Sequence, residues 1–140
     1  NIAILSILTY GCLSESKPIP PEFDDIEYLE YFEPNSQRPN YGAVLLYSGD
    51  LDYKKLLSII EVYNQTYKNA VLVRIFSNKQ AYTNENNSVY GEVYDEGYIL
   101  FYIKNLTDRG IHRGRNEIRW MQAKGGLSPL FGEKDFAPFN

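Results

Sequence analysis

Two short apolar runs separated by an amphipathic segment constrain the fold of this chain more than any other feature. The runs Tyr41–Tyr47 and Ala70–Phe76 are rich in strand-forming residues and predict two buried strands. Between them, residues 51–67 predict a helix with one buried face, and Asp50 is placed to cap it. The apolar positions of this helix are Leu51, Leu56, Ile59, Ile60, Tyr63 and Tyr67. This order predicts a β-α-β unit with parallel strands and a right-handed crossover.

The flanking segments predict further strands around this unit. Residues 98–104 and 117–121 have the apolar pattern of strands, whereas residues 26–33 suit either a weaker strand or a short helix. The expected connections are a helical turn at residues 77–81, a polar loop at residues 84–87 and a glycine-bounded loop at residues 110–114. The predicted fold class is α+β, with one main helix packed on a mixed sheet of about five strands.

The C-terminal segment is apolar, but glycine and proline interrupt it, so it is not expected to continue the sheet regularly. Leu127, Leu130 and Phe131 are expected to fold back as a lid on the core. The alternative is an exposed apolar site for a partner.

The N-terminal segment has the order of a bacterial lipoprotein signal. An apolar run at residues 2–8 is followed by Gly11, the single cysteine Cys12 and a proline-rich stretch at residues 14–22. Lipidation of Cys12 would anchor the chain to a membrane. The predicted organisation is a truncated signal segment at residues 1–12, a proline-rich tether at residues 13–22 and one domain at residues 23–140.

A second interpretation of the same segment stays open. Thr9 and Tyr10 stand where such a signal usually carries a leucine-like residue and a small residue. In this interpretation, residues 2–10 form a buried strand and Cys12 is an ordinary core thiol. Under either interpretation, a single cysteine excludes an internal disulfide and a thiol-based metal cluster.

The net charge is −4, but the charges are unevenly distributed. Acidic residues dominate up to Asp52, whereas residues 104–124 carry six bases and two acids. Such asymmetry either attracts two parts of one fold to each other or steers a charged partner. The sequence pI of about 5.0 disfavours nucleic acid as that partner. The paired carboxylates lack the spacing of a calcium loop, so no metal or cofactor is expected.

The strongest candidate for chemistry is the basic loop that contains the single histidine. Arginines in a glycine-loosened loop bind phosphate or carboxylate through paired donors. The candidate anion-binding or partner-binding residues are Arg109, His112, Arg113, Arg115 and Arg119. As an alternative, a small hydrolase-like enzyme would use His112 as general acid or base and Glu117 to orient it. Arg113 or Arg115 would then stabilise an anion, although no nucleophile or metal-ligand spacing accompanies this loop.

The order of the predicted elements resembles that of small bacterial lipoproteins and secreted domains of uncharacterised function. Residues 73–81 (VRIFSNKQA) are similar to the strand-to-helix joint of such domains, and the phrase NEIRWMQ is similar to the end of their strands. The resemblance covers most of residues 26–132 and implies no catalytic residue. The expected function is therefore that of a lipid-anchored, extracytoplasmic binding or accessory module of the bacterial cell envelope, with an envelope protein as a candidate partner.

Overall fold

A computed structural model describes residues 23–136 and 138–139 of the chain. The predicted signal segment, Cys12 and the predicted tether lie outside the described residues. Lipid attachment at Cys12 therefore stays a prediction.

The described residues form one mixed sheet of six strands with three helices. The strands are β1 (Ile26–Phe32), β2 (Tyr41–Tyr47), β3 (Ala70–Phe76), β4 (Tyr98–Asn105), β5 (Arg115–Trp120) and β6 (Lys134–Phe136). The helices are α1 (Tyr53–Thr66), α2 (Lys79–Asn86) and α3 (Glu92–Gly97), with a short 3-10 turn at Ser128–Leu130. The strands lie side by side in chain order. β2 and β3 are parallel, and the other neighbouring pairs are antiparallel.

This architecture confirms the predicted α+β class and the β-α-β unit formed by β2, α1 and β3. The sheet has six strands rather than about five among the described residues. β1 is a strand and not a short helix, because its backbone pairs antiparallel with β2 along most of its length. β6 was not predicted, since three residues are too few to carry a periodic pattern.

The helix α1 covers one face of the sheet. Its cap is Asp52, whose carboxylate accepts a hydrogen bond from the Lys55 backbone N–H at 3.0 Å. The prediction that Asp50 caps this helix was wrong by two residues. The backbone carbonyl of Asp50 instead accepts a hydrogen bond from the Tyr47 hydroxyl at 2.7 Å. The buried side chains of α1 are Leu56, Ile59, Ile60 and Tyr63. They pack against alternate residues of β2 and β3, such as Leu45 and Val73, in the main core.

The C-terminal segment packs on the same core only in part. Leu127 is buried in the main core and Leu130 packs against it, as the predicted lid requires. The Phe131 side chain is 54% exposed, so the prediction that it joins the lid is wrong. The 3-10 turn places Leu127 and Leu130 one turn apart, which directs Phe131 to another side.

The opposite face of the sheet is covered at one end by α2 and α3. Ala81 of α2 packs beside Phe76 and Tyr98 in a second, smaller core. The polar loop predicted at residues 84–87 was wrong, because α2 continues to Asn86. The Asn78 side chain caps α2 by accepting a hydrogen bond from the Gln80 backbone N–H at 2.7 Å, and burial of Ala81 outweighs the weak helix propensity of the polar residues.

A glycine lets an aromatic ring lie across this second face. Phe32, at the end of β1, pairs with Gly42 of β2, and a Cβ added to Gly42 would overlap the Phe32 ring. The Phe32 ring therefore covers Gly42, and the Arg38 guanidinium lies over the ring. β2 requires a glycine at position 42, because a side chain there would overlap the Phe32 ring.

We expect Gly42→Ala to displace the Phe32 ring and to lower the free energy of unfolding by about 1–3 kcal/mol. Urea denaturation measures this change. Gly126→Ala is the matched control, because a Cβ at Gly126 meets nothing within 4 Å. Equal unfolding midpoints for Gly42→Ala and the unmodified protein would contradict the placement of the ring.

Candidate ligand-binding site

A cavity of about 550 Å³ opens on the second face of the sheet, beside the end covered by α2. Its floor is formed by Leu72 and Arg74 of β3 and by Phe101 of β4, and Arg74 lies directly opposite Phe101 in the strand ladder. Because side chains alternate along a strand, these residues face away from α1. The floor is therefore the part of the second face that α2 and α3 leave uncovered.

Two long loops form the walls of the cavity, and they are joined to each other. The Arg109 guanidinium donates from Nη1 to the backbone carbonyls of Asn35 and Ser36, at 3.2 Å each. Gly110 lies so close to Pro39 that an added Cβ would come within 3.0 Å of the proline ring, and its φ of +87° also favours glycine. The β1–β2 loop and the β4–β5 loop thus form one connected rim.

Arg38 projects from this rim over an aromatic ring. The Asn35 side chain accepts hydrogen bonds from the Gln37 and Arg38 backbone N–H groups at 2.9 Å, which fixes the turn that carries Arg38. The Arg38 guanidinium carbon lies 3.8 Å from the centre of the Phe32 ring. Stacking holds the guanidinium in place and leaves its in-plane N–H groups available to a ligand.

Arg74 is the second cation of the cavity. It rises from the central strand β3, and its side chain is 20% exposed. Glu85 of α2 provides the opposite charge at 3.8 Å, which is longer than the 2.7–2.9 Å or so of a strong charge-assisted hydrogen bond. Tyr98 lines the cavity beside them, and burial raises the pKa of its hydroxyl well above the ordinary value, so that it stays neutral.

His112 lines the cavity from the β4–β5 loop. Arg115 donates from Nη1 to Nδ1 of His112 at 2.8 Å. Because a guanidinium has only donors, Nδ1 accepts and the proton lies on Nε2. Burial lowers the pKa of His112, and the positive charges of Arg115 and Arg119 lower it further, against a smaller opposing effect of Glu117. His112 is therefore a neutral imidazole that offers one N–H donor.

Glu117 is buried beneath this loop and binds two guanidiniums. Its oxygens accept from Nε of Arg115 at 2.8 Å and from Nε of Arg119 at 2.9 Å. Burial by itself would raise the pKa of Glu117, but the two guanidiniums outweigh burial and the pKa is lowered. A row of contacts therefore runs from Arg119 through Glu117 and Arg115 to His112.

The predicted basic loop marks one wall of the cavity, but its arginines are occupied within the fold. Arg109 holds the opposite loop, and Arg113 donates to the backbone carbonyl of Gly110 at 3.3 Å. Arg115 and Arg119 bind Glu117. Of the candidate residues named from the sequence, the cavity lining includes only His112.

The two arginines that line the cavity, Arg38 and Arg74, were missed by the sequence analysis. One signal for Arg74 was present, because it is the single charged residue in the apolar run Ala70–Phe76. A charge in the middle of a buried strand needs a partner or access to water. Arg38 had no such signal, since a single arginine in a polar loop is ordinary.

A second titratable group is buried on the face covered by α1. The Lys104 ammonium donates to the backbone carbonyl and the side-chain oxygen of Asn64, both at 2.8 Å. Asn64 lies in the last turn of α1, where unpaired carbonyls favour a cation. Burial, assisted by Lys68, lowers the pKa of Lys104. Lys104 is not among the residues that line the large cavity, and these contacts give it a structural role.

Comparisons with protein-family models, with curated proteins and with solved structures find no match to this chain. Within residues 23–136 and 138–139, none of the helices combines the length and apolar character needed to cross a membrane. In the same part of the chain, no group of three or more His, Cys, Asp or Glu side chains is placed to hold a metal ion.

The contact between Arg115 and His112 predicts a pH response. We expect Arg115→Gln to raise the pKa of His112, because the variant removes a positive charge and a donor at Nδ1, and NMR titration of the imidazole measures the change.

In the unmodified protein, the unfolded chain binds this proton more readily than the folded chain. His112 therefore lowers the free energy of unfolding as the pH falls below its ordinary value of 6.5.

Arg113→Gln is the control for this titration, since Arg113 contacts the loop backbone rather than the imidazole. A pKa of His112 that is the same in Arg115→Gln and in the unmodified protein would contradict the assigned contact.

Proposed function

We propose that the domain is a non-enzymatic module that binds a small molecule in the cavity of the second face. The observation that carries this proposal is the cavity itself, whose volume of about 550 Å³ lies in the range of small-molecule sites. Its floor is apolar at Leu72 and Phe101, and a few polar groups converge on it. This combination suits recognition of a ligand by shape and by a small number of directed contacts.

The state of His112 supports binding rather than catalysis. A general base needs an available lone pair on the imidazole, but Nδ1 already accepts from Arg115 and Nε2 carries the proton. The orienting carboxylate of the hydrolase-like alternative, Glu117, accepts hydrogen bonds from Arg115 and Arg119 instead. His112 can still donate a hydrogen bond to a ligand from Nε2.

The proposed location of the module is the bacterial cell envelope, as the N-terminal segment predicts. A lipid on Cys12 would hold the domain at the outer side of a bacterial cytoplasmic membrane or elsewhere in the cell envelope, where an envelope protein could receive or supply its ligand. The support for this proposal is the order of the apolar run, Gly11, Cys12 and the proline-rich tether.

Binding is tested with two small molecules that share one apolar body, 3-phenylpropanoate and 3-phenylpropanamide. We expect at least one of them to bind with a dissociation constant of about a millimolar, as ligands of this size allow. NMR titration should shift the backbone amides around the cavity, including those of Leu72, Phe101 and His112. Leu72→Trp, which fills the floor, should abolish these shifts.

Leu106→Trp is the matched control, because Leu106 is 59% exposed and lies outside the cavity lining. This variant should bind like the unmodified protein. If neither these two molecules nor their cationic analogue, 3-phenylpropylamine, shifts the cavity amides, the proposed function is wrong. It is also wrong if Leu72→Trp leaves binding unchanged in a folded protein.

The lipid anchor is tested by expressing the gene in a bacterium and measuring the intact mass and membrane partition of the product. We expect a diacylglyceryl group on Cys12, and we expect Cys12→Ser to release the protein from membranes. An unmodified thiol in a protein that leaves the membrane fraction would support the alternative, in which residues 2–10 belong to the fold.

A further inference from the structure

The charges that line the cavity are unbalanced. Arg38 and Arg74 contribute two positive charges, and Glu85 contributes one negative charge. His112 adds a neutral N–H donor, since its Nδ1 accepts from Arg115. Behind the wall, Glu117 is neutralised by two arginines and adds no negative field of its own. The cavity is thus a positively charged site in a chain whose net charge is −4.

The two arginines of the lining keep donors that the fold does not use. Among the described residues, the Arg38 guanidinium stacks on the Phe32 ring and forms no hydrogen bond or ion pair. Arg74 interacts with the Tyr98 hydroxyl and lies 3.8 Å from Glu85, a separation that leaves this ion pair without a short hydrogen bond. Guanidinium groups in this state bind carboxylates through two parallel hydrogen bonds.

Apolar side chains also line the cavity. Leu72 and Phe101 form the floor, and Phe32 and Ile111 stand at the rim, where Ile111 is 89% exposed. An apolar residue this exposed at the mouth of a cavity gains burial when a ligand with an apolar body enters. The site therefore offers one surface for an anion and a larger one for a hydrocarbon or an aromatic ring.

We infer that the ligand of this cavity is an organic acid with an apolar body, whose carboxylate binds Arg38 and Arg74 and whose body packs on Leu72 and Phe101. This inference rests on the proposed function and specifies its ligand class. Glu85 restricts the class, because its negative charge beside Arg74 disfavours ligands with several anionic groups.

The test compares three molecules with the same apolar body: 3-phenylpropanoate, the neutral 3-phenylpropanamide and the cationic 3-phenylpropylamine. NMR titration or calorimetry gives the three dissociation constants. We expect the acid to bind about tenfold more tightly than the amide, since hydrogen bonds to a charged group are worth more than neutral ones. The amine should bind least, and high salt should reduce the advantage of the acid.

Arg38→Gln and Arg74→Gln should each remove most of the advantage of the acid while leaving amide binding within about twofold. Amide binding thus shows that each variant is folded and that its cavity is open. Arg113→Gln is the control for a general loss of positive charge, because Arg113 is exposed on the same loop but outside the lining. It should keep the preference for the acid.

The outcomes separate the two claims. Equal binding of the acid and the amide, or tighter binding of the amine, overturns the inferred ligand class while the binding function stands. The ligand class is also overturned if the acid keeps its advantage in both arginine variants. Failure of all three molecules to bind in the cavity overturns the proposed function itself.

Discussion

The parallel pairing of β2 with β3 is the constraint on which the rest of the structure depends. Parallel neighbours cannot be joined by a hairpin, so the chain must cross over one face of the sheet, and α1 makes that crossing. The crossover buries Leu56, Ile59, Ile60 and Tyr63 against the sheet and creates the main core. All other neighbouring strands are antiparallel, so the opposite face must be covered by other means.

That opposite face is covered incompletely, and the cavity is the consequence. The hairpin of α2 and α3 packs around Phe76 at the end of β3, and Glu85 of α2 lines the cavity beside it. The remaining area is enclosed by two loops that extend well beyond a tight turn, joined through Arg109. Loops that are fixed to each other provide a rigid rim, which is the usual condition for a preformed ligand site.

The central unit could be predicted from the sequence because its signals are local. The apolar positions of α1 recur at the three- and four-residue spacing of a helix, and the runs on either side of it are short apolar segments typical of buried strands. The end of α2 could not be predicted from the sequence, because burial of Ala81 against Phe76 is a tertiary effect. The cavity could not be predicted either, because Arg38 of the β1–β2 loop and Arg74 of β3 are 36 positions apart and only tertiary packing brings them to one cavity. Sequence reasoning located His112 because composition alone singled it out.

The position of Arg74 links the stability of the fold to the choice of ligand. A guanidinium on a central strand is costly to remove from water unless it gains a close anion. Glu85 at 3.8 Å, the Tyr98 hydroxyl and the Phe76 ring at 5.9 Å compensate only in part, so Arg74 depends on the open cavity for hydration. A neutral apolar ligand would expel that water and offer the Arg74 guanidinium no hydrogen bond or opposite charge in its place. An acid would replace the water with a carboxylate, and the same desolvation would then strengthen the ion pair.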